Sequence, residues 1–381
     1  MRLIYPLLWS RPGRQADREQ VVNTAGAMAR AGAEVTLVLP RGRADAAVDA
    51  AALRALFGVR GDFRVEQRPS RWAGEQALPS ALWLRQIAHD PATRRHDILY
   101  TRMPVAFYLG GTSPIPFAVE HYRPWPDRYP PLRPWVRRTA REARCLGFIL
   151  HSRFAADSFA RAGIAEEKLL VAHNGAEPGR MLPRLTQAEA RARLGLPQHR
   201  RIAVYAGRVN ARKGLDRLLL LAQARPEVLF LLVGSEGEGP IERAAAGVAN
   251  LRTVAWQDAA ALPAWLYAAD VLLIPPSRAP LERFGQTVLP LKTFAYLAAA
   301  RPILAPVAPD TAELLRDGHN ALLVPADDTP AAAAALDRLL HDRTLAERLG
   351  ANGAALAASL SWDARAGRIL DFLAAALSRR G

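Results

Sequence analysis

Short apolar runs that stop abruptly at polar or charged residues recur along this chain, separated by stretches with helical periodicity. A regular alternation of that kind folds as a parallel sheet covered on both faces by helices. The first series opens with RLIYPLLW, a helix over roughly Asp17 to Ala31 and the strand EVTLVLP after Gly32. It continues with DILYTR from Asp97, FAVEH from Phe117 and GFILHS from Gly147. The C-terminal ends of such strands carry the polar side chains of a ligand crevice. Arg102, Glu120, His121, His151 and Ser152 occupy those ends, the last two also suiting ordinary strand-end turns.

A polar segment, HNGAEPGRMLPRLTQAEA from His173, reads as a linker from its Asn, Gly and Pro content. Beyond it a second series runs IAVYAG from Ile202, VLFLLVG from Val228, NLRTVAW from Asn250, DVLLIPPS from Asp270, PILAP from Pro302 and NALLVP from Asn320. The Ala tract from Ala331 is a good helix former, not a disordered stretch. The expected architecture is α/β, with two facing, doubly wound Rossmann-like domains and a cleft between them. The boundaries are 1–173 for the first domain and 174–361 for the second, with a closing helix over about 362–381.

The chain has 381 residues, 50% of them hydrophobic, and no apolar run long enough to span a bilayer, so a globular protein is expected. Met1 leads straight into a strand-like run, with no basic segment and cleavage site after it, so no secretory signal is expected. The lone Cys145 forms no internal disulfide and suits a reducing, cytoplasmic setting. The formal net charge of +15 is carried almost wholly by arginine, lysine occurring only at Lys168, Lys213 and Lys292. That excess suits an anionic substrate or an anionic membrane surface. Nucleic acid is not an expected partner, because zinc-finger spacing, aromatic ribonucleoprotein motifs and a basic tail are all missing.

The strand IAVYAG ends in Gly207 and runs into Arg208, a short loop, and Lys213 and Gly214 opening an amphipathic helix. A glycine that lets the chain turn closely past a ligand, two cations and a helix N-terminus make an anion clamp for a phosphate or diphosphate. The GSEGEG loop from Gly234 lies between a strand and a helix, so Gly234 and Ser235 are candidates for close approach to a nucleotide.

The segments VYAGRVNARKGLDRLL, FLLVGSEGEGP, LPAWLYAADVLLIPPS, PLKTFAYLAAARPILAP and GHNALLVPADD, collinear from about Ala203 to Asp328, resemble the nucleotide-sugar glycosyltransferases of the GT-B fold, in particular retaining family 4. The first half is similar more loosely, through YTR at Tyr100, VEH at Val119 and NG at Asn174. The resemblance implies a retaining transferase that moves a sugar from a nucleoside-diphosphate donor to an acceptor hydroxyl on a glycan, glycolipid or small molecule. It implies no metal or other cofactor, the leaving diphosphate being neutralised by Arg208 and Lys213. It places His121 near the donor sugar or the acceptor, although a core histidine satisfied by a backbone carbonyl fits the same position. Arg102, Glu120 and His151 would lie on the acceptor side, Arg102 alternatively in a sheet-edge salt bridge. The closing helix, from Ser361, would return to the first domain.

That family carries paired glutamates, one for the sugar and one for the nucleotide ribose. Aligning Pro302 with the family's proline puts Thr287 and Ala295 at those positions, and Ala300 where a glycine is usual. A competing register uses Glu282, Phe284 and Gly285 and makes Glu282 the sugar-contacting carboxylate. In the favoured register Pro290 sits near helix position N1, with Gln286, Thr287, Val288 and Leu289 offering backbone N–H groups and Lys292 in the first turn. With Ala295 in place of a glutamate, a GT-B epimerase or phosphorylase, or a noncatalytic nucleotide-sugar-binding protein, is the alternative. Arg137, Arg138, Arg141 and Arg144 at near-helical spacing, with Trp125, Tyr129 and Trp135 nearby, form either a solvated helix face or a surface for anionic lipid headgroups. The second option makes the protein peripheral on the inner face of the membrane.

Overall fold

The computed structural model describes residues 1–42, 45–70, 77–103, 113–284 and 289–379. It divides into two compact units, Met1–Asn174 with Trp362–Gly381, and Gly175–Ser361. Among the described residues the first unit holds a seven-stranded parallel sheet built from β1 (Arg2–Pro6), β2 (Glu34–Arg41), β3 (Arg64–Pro69), β4 (Ile98–Thr101), β5 (Phe117–His121), β6 (Cys145–Leu150) and β7 (Leu169–Val171). Their order is β3-β2-β1-β4-β5-β6-β7. The second unit holds β8 (Ile202–Ala206), β9 (Leu229–Ser235), β10 (Leu251–Ala255), β11 (Val271–Leu273), β12 (Ile303–Pro306) and β13 (Leu322–Val324), in the order β10-β9-β8-β11-β12-β13. Both orders reverse direction once, between β1 and β4 and between β8 and β11, and ligands of open α/β sheets bind outside the strand ends at that reversal.

Apolar side chains fill both faces of each sheet. Tyr205, Leu232 and Val271 pack on one side of the second sheet, and Val204, Leu231 and Leu272 on the other. The two strands absent from the sequence reading, β3 and β7, are the edges of the first sheet. β3 alternates exposed and half-buried residues, and β7 is half-buried throughout, so neither has the unbroken apolar run that marks a central strand.

Three local expectations need correction. The segment read as a linker contains the start of a helix, Gln187–Arg193, closed by a reciprocal cap between Thr186 and Glu189. That cap is the standard signature of a helix start, and it overrides the turn residues upstream. Lys213 does not open the amphipathic helix. It ends a 3-10 turn, Ala211–Lys213, and Gly214 takes a left-handed conformation before the helix Asp216–Ala224 begins. Pro290 likewise lies ahead of its helix, which runs Lys292–Ala298 with Leu291 as the N-cap residue.

The helix Trp362–Ser378 packs within the first unit, against the helix Ala16–Arg30 and β6. An ion pair between Arg30 and Asp363 at 2.6 Å adds to that packing. No helix among the described residues is long and apolar enough to cross a membrane.

Ala300, at the position where family 4 usually has glycine, holds φ at +55°. The left-handed region costs an L-residue about 1–2 kcal/mol, and the entropy of glycine in the unfolded chain offsets part of that. Ala300→Gly is therefore expected to stabilise the protein by roughly 0.5–1 kcal/mol, read as an upward shift in a urea or thermal unfolding midpoint. An unchanged or lowered midpoint contradicts the strain.

Candidate functional site

In the second unit, cations gather at the C-terminal end of β8. Gly207 and Gly234 have φ of +142° and +120°, and a Cβ on Gly234 would lie 2.4 Å from the Gly207 carbonyl oxygen. Only glycine allows this close crossing of the β8 and β9 ends. The Tyr205 hydroxyl donates to the Arg208 carbonyl at 2.9 Å, and the Asn210 side chain accepts from Arg212 N–H at 3.1 Å, which shapes the turn that carries Lys213. The helix Arg278–Phe284 packs against that turn.

Lys292 reaches the same strand end from its own helix, its Nζ 3.5 Å from the centroid of the Tyr205 ring. Burial, and after it the charge of Lys213, hold the Lys292 amine well below the ordinary lysine range. Arg208 is placed differently, with its Nε and a terminal nitrogen at 2.9 and 2.8 Å from the same oxygen of Glu236. That pair is partly exposed and worth about 0–1 kcal/mol, so a ligand could open it at little cost.

Other expected donor contacts are more dispersed. The Ser235 hydroxyl donates to Glu242 at 2.7 Å, which in turn accepts from Gly239 N–H, so Ser235 is engaged in capping the next helix. Glu282 is exposed on the helix Arg278–Phe284, and Leu289 is half-buried. Gly285, Gln286, Thr287 and Val288 lie outside the described residues. Ala295 is half-buried and packs on the core of the second sheet.

In the first unit the strand-end residues converge on one carboxylate. Glu120 is fully buried. Its Oε1 accepts from Gln20 and from Arg365, each at 2.5 Å, and lies 2.5 Å from His151 Nε2, while Oε2 accepts from Tyr100 at 2.9 Å and Tyr5 at 3.2 Å. Burial pushes the carboxyl up, but Arg365 and the His151 hydrogen bond outweigh it and hold the group ionised, well below the usual range. An ionised carboxylate only accepts, so His151 Nε2 carries the proton and Nδ1 is the acceptor facing the Asn174 amide at 3.5 Å. His121 is buried beside Trp125, with ring centroids 5.9 Å apart. Arg102 donates to the Asp17 carbonyl at 3.1 Å and stands 6.0 Å from the centroid of the Tyr122 ring.

Sequence reasoning missed Arg365, which also donates to Thr24 at 3.1 Å and contacts the Ala172 carbonyl at 3.3 Å. No local signal distinguishes one arginine of an amphipathic helix from its neighbours in an arginine-rich chain. Only the packing of the closing helix reveals its role.

Two family models match the chain, Glycosyltransferase Family 4 over residues 19–180 and Glycosyl transferases group 1 over residues 200–342. The D-inositol 3-phosphate glycosyltransferase of Streptomyces scabiei is 33% identical over 230 residues, which cover 55% of this chain and 49% of that protein. The chain thus spans about half the length of the curated relatives it matches. The sucrose-phosphate synthase of Thermosynechococcus elongatus superposes with a TM-score of 0.77 at 17% identity, over 99% of both chains. Anabaena HepE, in a structure with UDP, does so with a TM-score of 0.73 at 16% identity, over 98% of this chain and 100% of that one. The chain has the GT-B fold of the glycosyltransferases, with a glycosyltransferase model matched in each unit. Within that class it resembles family 4.

Burial, and for His121 also Arg102, push His121 and His151 down to about 3 and about 4. Both fold as neutral rings, whereas in the unfolded chain they charge near pH 6.5. The unfolded state therefore binds more protons between about pH 6.5 and the folded values, and stability falls as pH drops through that window. The expected slope reaches about 1.4 kcal/mol per pH unit for each ring, and His121→Asn should remove its share. Urea unfolding at a series of pH values measures this, and a flat profile between about pH 6.5 and 4 refutes it.

Proposed function

We propose that the protein is a retaining glycosyltransferase that moves a sugar from a nucleoside-diphosphate sugar to an acceptor hydroxyl on a glycan, a glycolipid or a small molecule. The observation that carries the reading is the convergence of Lys213 and Lys292 on the end of β8, beside the sheet reversal and two residues before Arg208. Negative charge grows on the diphosphate as the glycosidic bond breaks, so cations held at that point stabilise the transition state more than the bound donor. In this reading Arg208 exchanges Glu236 for a phosphate oxygen, side chains rather than a resident metal take up the leaving charge, and neutral His121 hydrogen-bonds a sugar or acceptor hydroxyl.

The resemblance to family 4 and the UDP complex of HepE support a nucleotide-sugar donor. Relatives named D-inositol 3-phosphate glycosyltransferase support a phosphorylated small molecule as one candidate acceptor. The protein is read as cytoplasmic, with peripheral contact to anionic membrane through the helix Arg133–Arg141. Arg137, Arg138 and Arg141 of that helix line a surface hollow of about 390 Å³ with Pro134 and Glu142, and Trp135 beside them is exposed.

With its correct donor the enzyme is expected to release nucleoside diphosphate slowly, and faster once an acceptor is added, with the anomeric configuration kept in the product. A changed sugar on the recovered nucleotide would mean an epimerase, and binding without turnover a noncatalytic protein. Lys213→Ala should slow transfer by roughly 10- to 100-fold, the equivalent of one charge-assisted contact, while the melting temperature stays nearly constant. Unchanged kinetics refute the assignment of Lys213. Co-sedimentation with vesicles tests the membrane contact: capture by anionic but not zwitterionic lipid, weakening as salt rises, is expected, and no capture by anionic vesicles refutes it.

A further inference from the structure

Among the described residues Asp327 joins Ala300 in holding a left-handed backbone without being glycine, with φ at +66°. Aspartate tolerates that region better than most side chains, but glycine would adopt it without strain. Strain of this kind persists where surrounding contacts impose it, and it gathers at functional sites. The contacts of Asp327 are specific. From the turn that follows β13, its N–H donates to the Pro276 carbonyl at 2.8 Å. Its Oδ1 accepts from the backbone N–H of Arg278, the first residue of the helix Arg278–Phe284, at 3.2 Å. The same oxygen lies 3.0 Å from the Nε of Arg217, in the first turn of the helix Asp216–Ala224, and Arg217 is shared with Asp216 at 3.5 Å. Oδ2 stands 3.8 Å from Arg278 Nε.

These partners flank the 3-10 turn that ends in Lys213. A Cβ on Gly214, the next residue, would lie 2.2 Å from the Ser277 Cβ and 2.5 Å from its hydroxyl oxygen, so the turn sits directly on the residue between Pro276 and Arg278. Arg217 lies one helical turn beyond Lys213. One carboxylate therefore holds both the segment beneath the turn and the helix that leaves it. Glycine at 327 would keep the N–H contact and lose all the others.

We infer that Asp327 is a positioning residue for the diphosphate site: it fixes the Lys213 turn against the segment 275–278 and so sets where the Lys213 ammonium stands. This rests on the reading of the β8 end as the diphosphate site. Asp327 touches no ligand in this role and acts through Lys213. The half-buried pair with Arg217 adds little to folding by itself, whereas moving a binding group by about 1 Å is costly to the chemistry it serves.

A double-mutant cycle on the full chain, read by isothermal titration with UDP, ADP and GDP, tests this. At least one nucleotide is expected to bind the unaltered protein. Asp327→Gly frees the backbone and removes the carboxylate, so it should bind that nucleotide roughly tenfold more weakly while melting near the unaltered temperature. Asp327→Asn suits the same backbone and still accepts from the Arg278 N–H, so it should recover part of the loss. In a Lys213→Ala background Asp327→Gly should cost little more, because the group it positions is gone; a merely structural role gives no such coupling. Losses that multiply across the two sites overturn the inference, and so does unchanged affinity in folded Asp327→Gly. Arg217→Met, which cuts the clamp without altering residue 327, carries the same cycle if Asp327→Gly does not fold. Unchanged binding in Lys213→Ala, or absence of binding by all three nucleotides to folded protein, sinks the diphosphate-site reading itself and the inference with it.

Discussion

A charge taken out of water must regain, from neighbouring groups, the interactions it gave up, and the two units meet this constraint in opposite ways. In the first, the Glu120 carboxylate is surrounded by Arg365, His151, Gln20, Tyr5 and Tyr100, which leaves no capacity for another partner. Removing one member of such a set typically costs 3–5 kcal/mol, so the network ties the closing helix to the strand that carries His121. In the second, half-buried Lys292 lies over the Tyr205 ring with Lys213, of like charge, near it among the described residues. The closed network is structural in character.

This contrast bears on the residues expected on the acceptor side. Glu120 and His151 sit at strand ends, where ligand-binding groups collect, yet their polar atoms are consumed inside the unit. Their part is to hold β5 and β6 in place around His121, itself a buried neutral ring. Arg102 donates one terminal nitrogen to the Asp17 carbonyl, while its buried Nε has no partner among the described residues. A strand-end position therefore nominates a residue for function, and its hydrogen-bond partners show whether it has capacity left for a ligand.

The central strands of both sheets were legible because a parallel strand covered on both faces must be apolar at nearly every position. β3 and β7 were not, since an edge strand has one side in solvent and loses that signature. Gly207, Arg208 and Lys213 were legible as a candidate anion site at the end of β8, but the local geometry there was not. Gly214 breaks the chain direction before the helix starts, so Lys213 rides on a short 3-10 turn and not on a helix N-terminus. Ala300 shows the reverse case, a departure from the family pattern that is visible in the chain, with a left-handed backbone that shows why glycine suits the position and alanine is strained there.

By itself the amino-acid order determined the alternation of strands and helices, the division into two α/β series and the placement of chemistry at strand ends, because periodicity and strand termini are local properties. Tertiary structure alone decided which charges are satisfied. Arg365 lies 245 residues from Glu120, and Lys292 meets Tyr205 and Lys213 from a separate helix. The energy of a buried charge depends on distances of a few ångströms between segments far apart in the chain, and only the folded packing sets those distances.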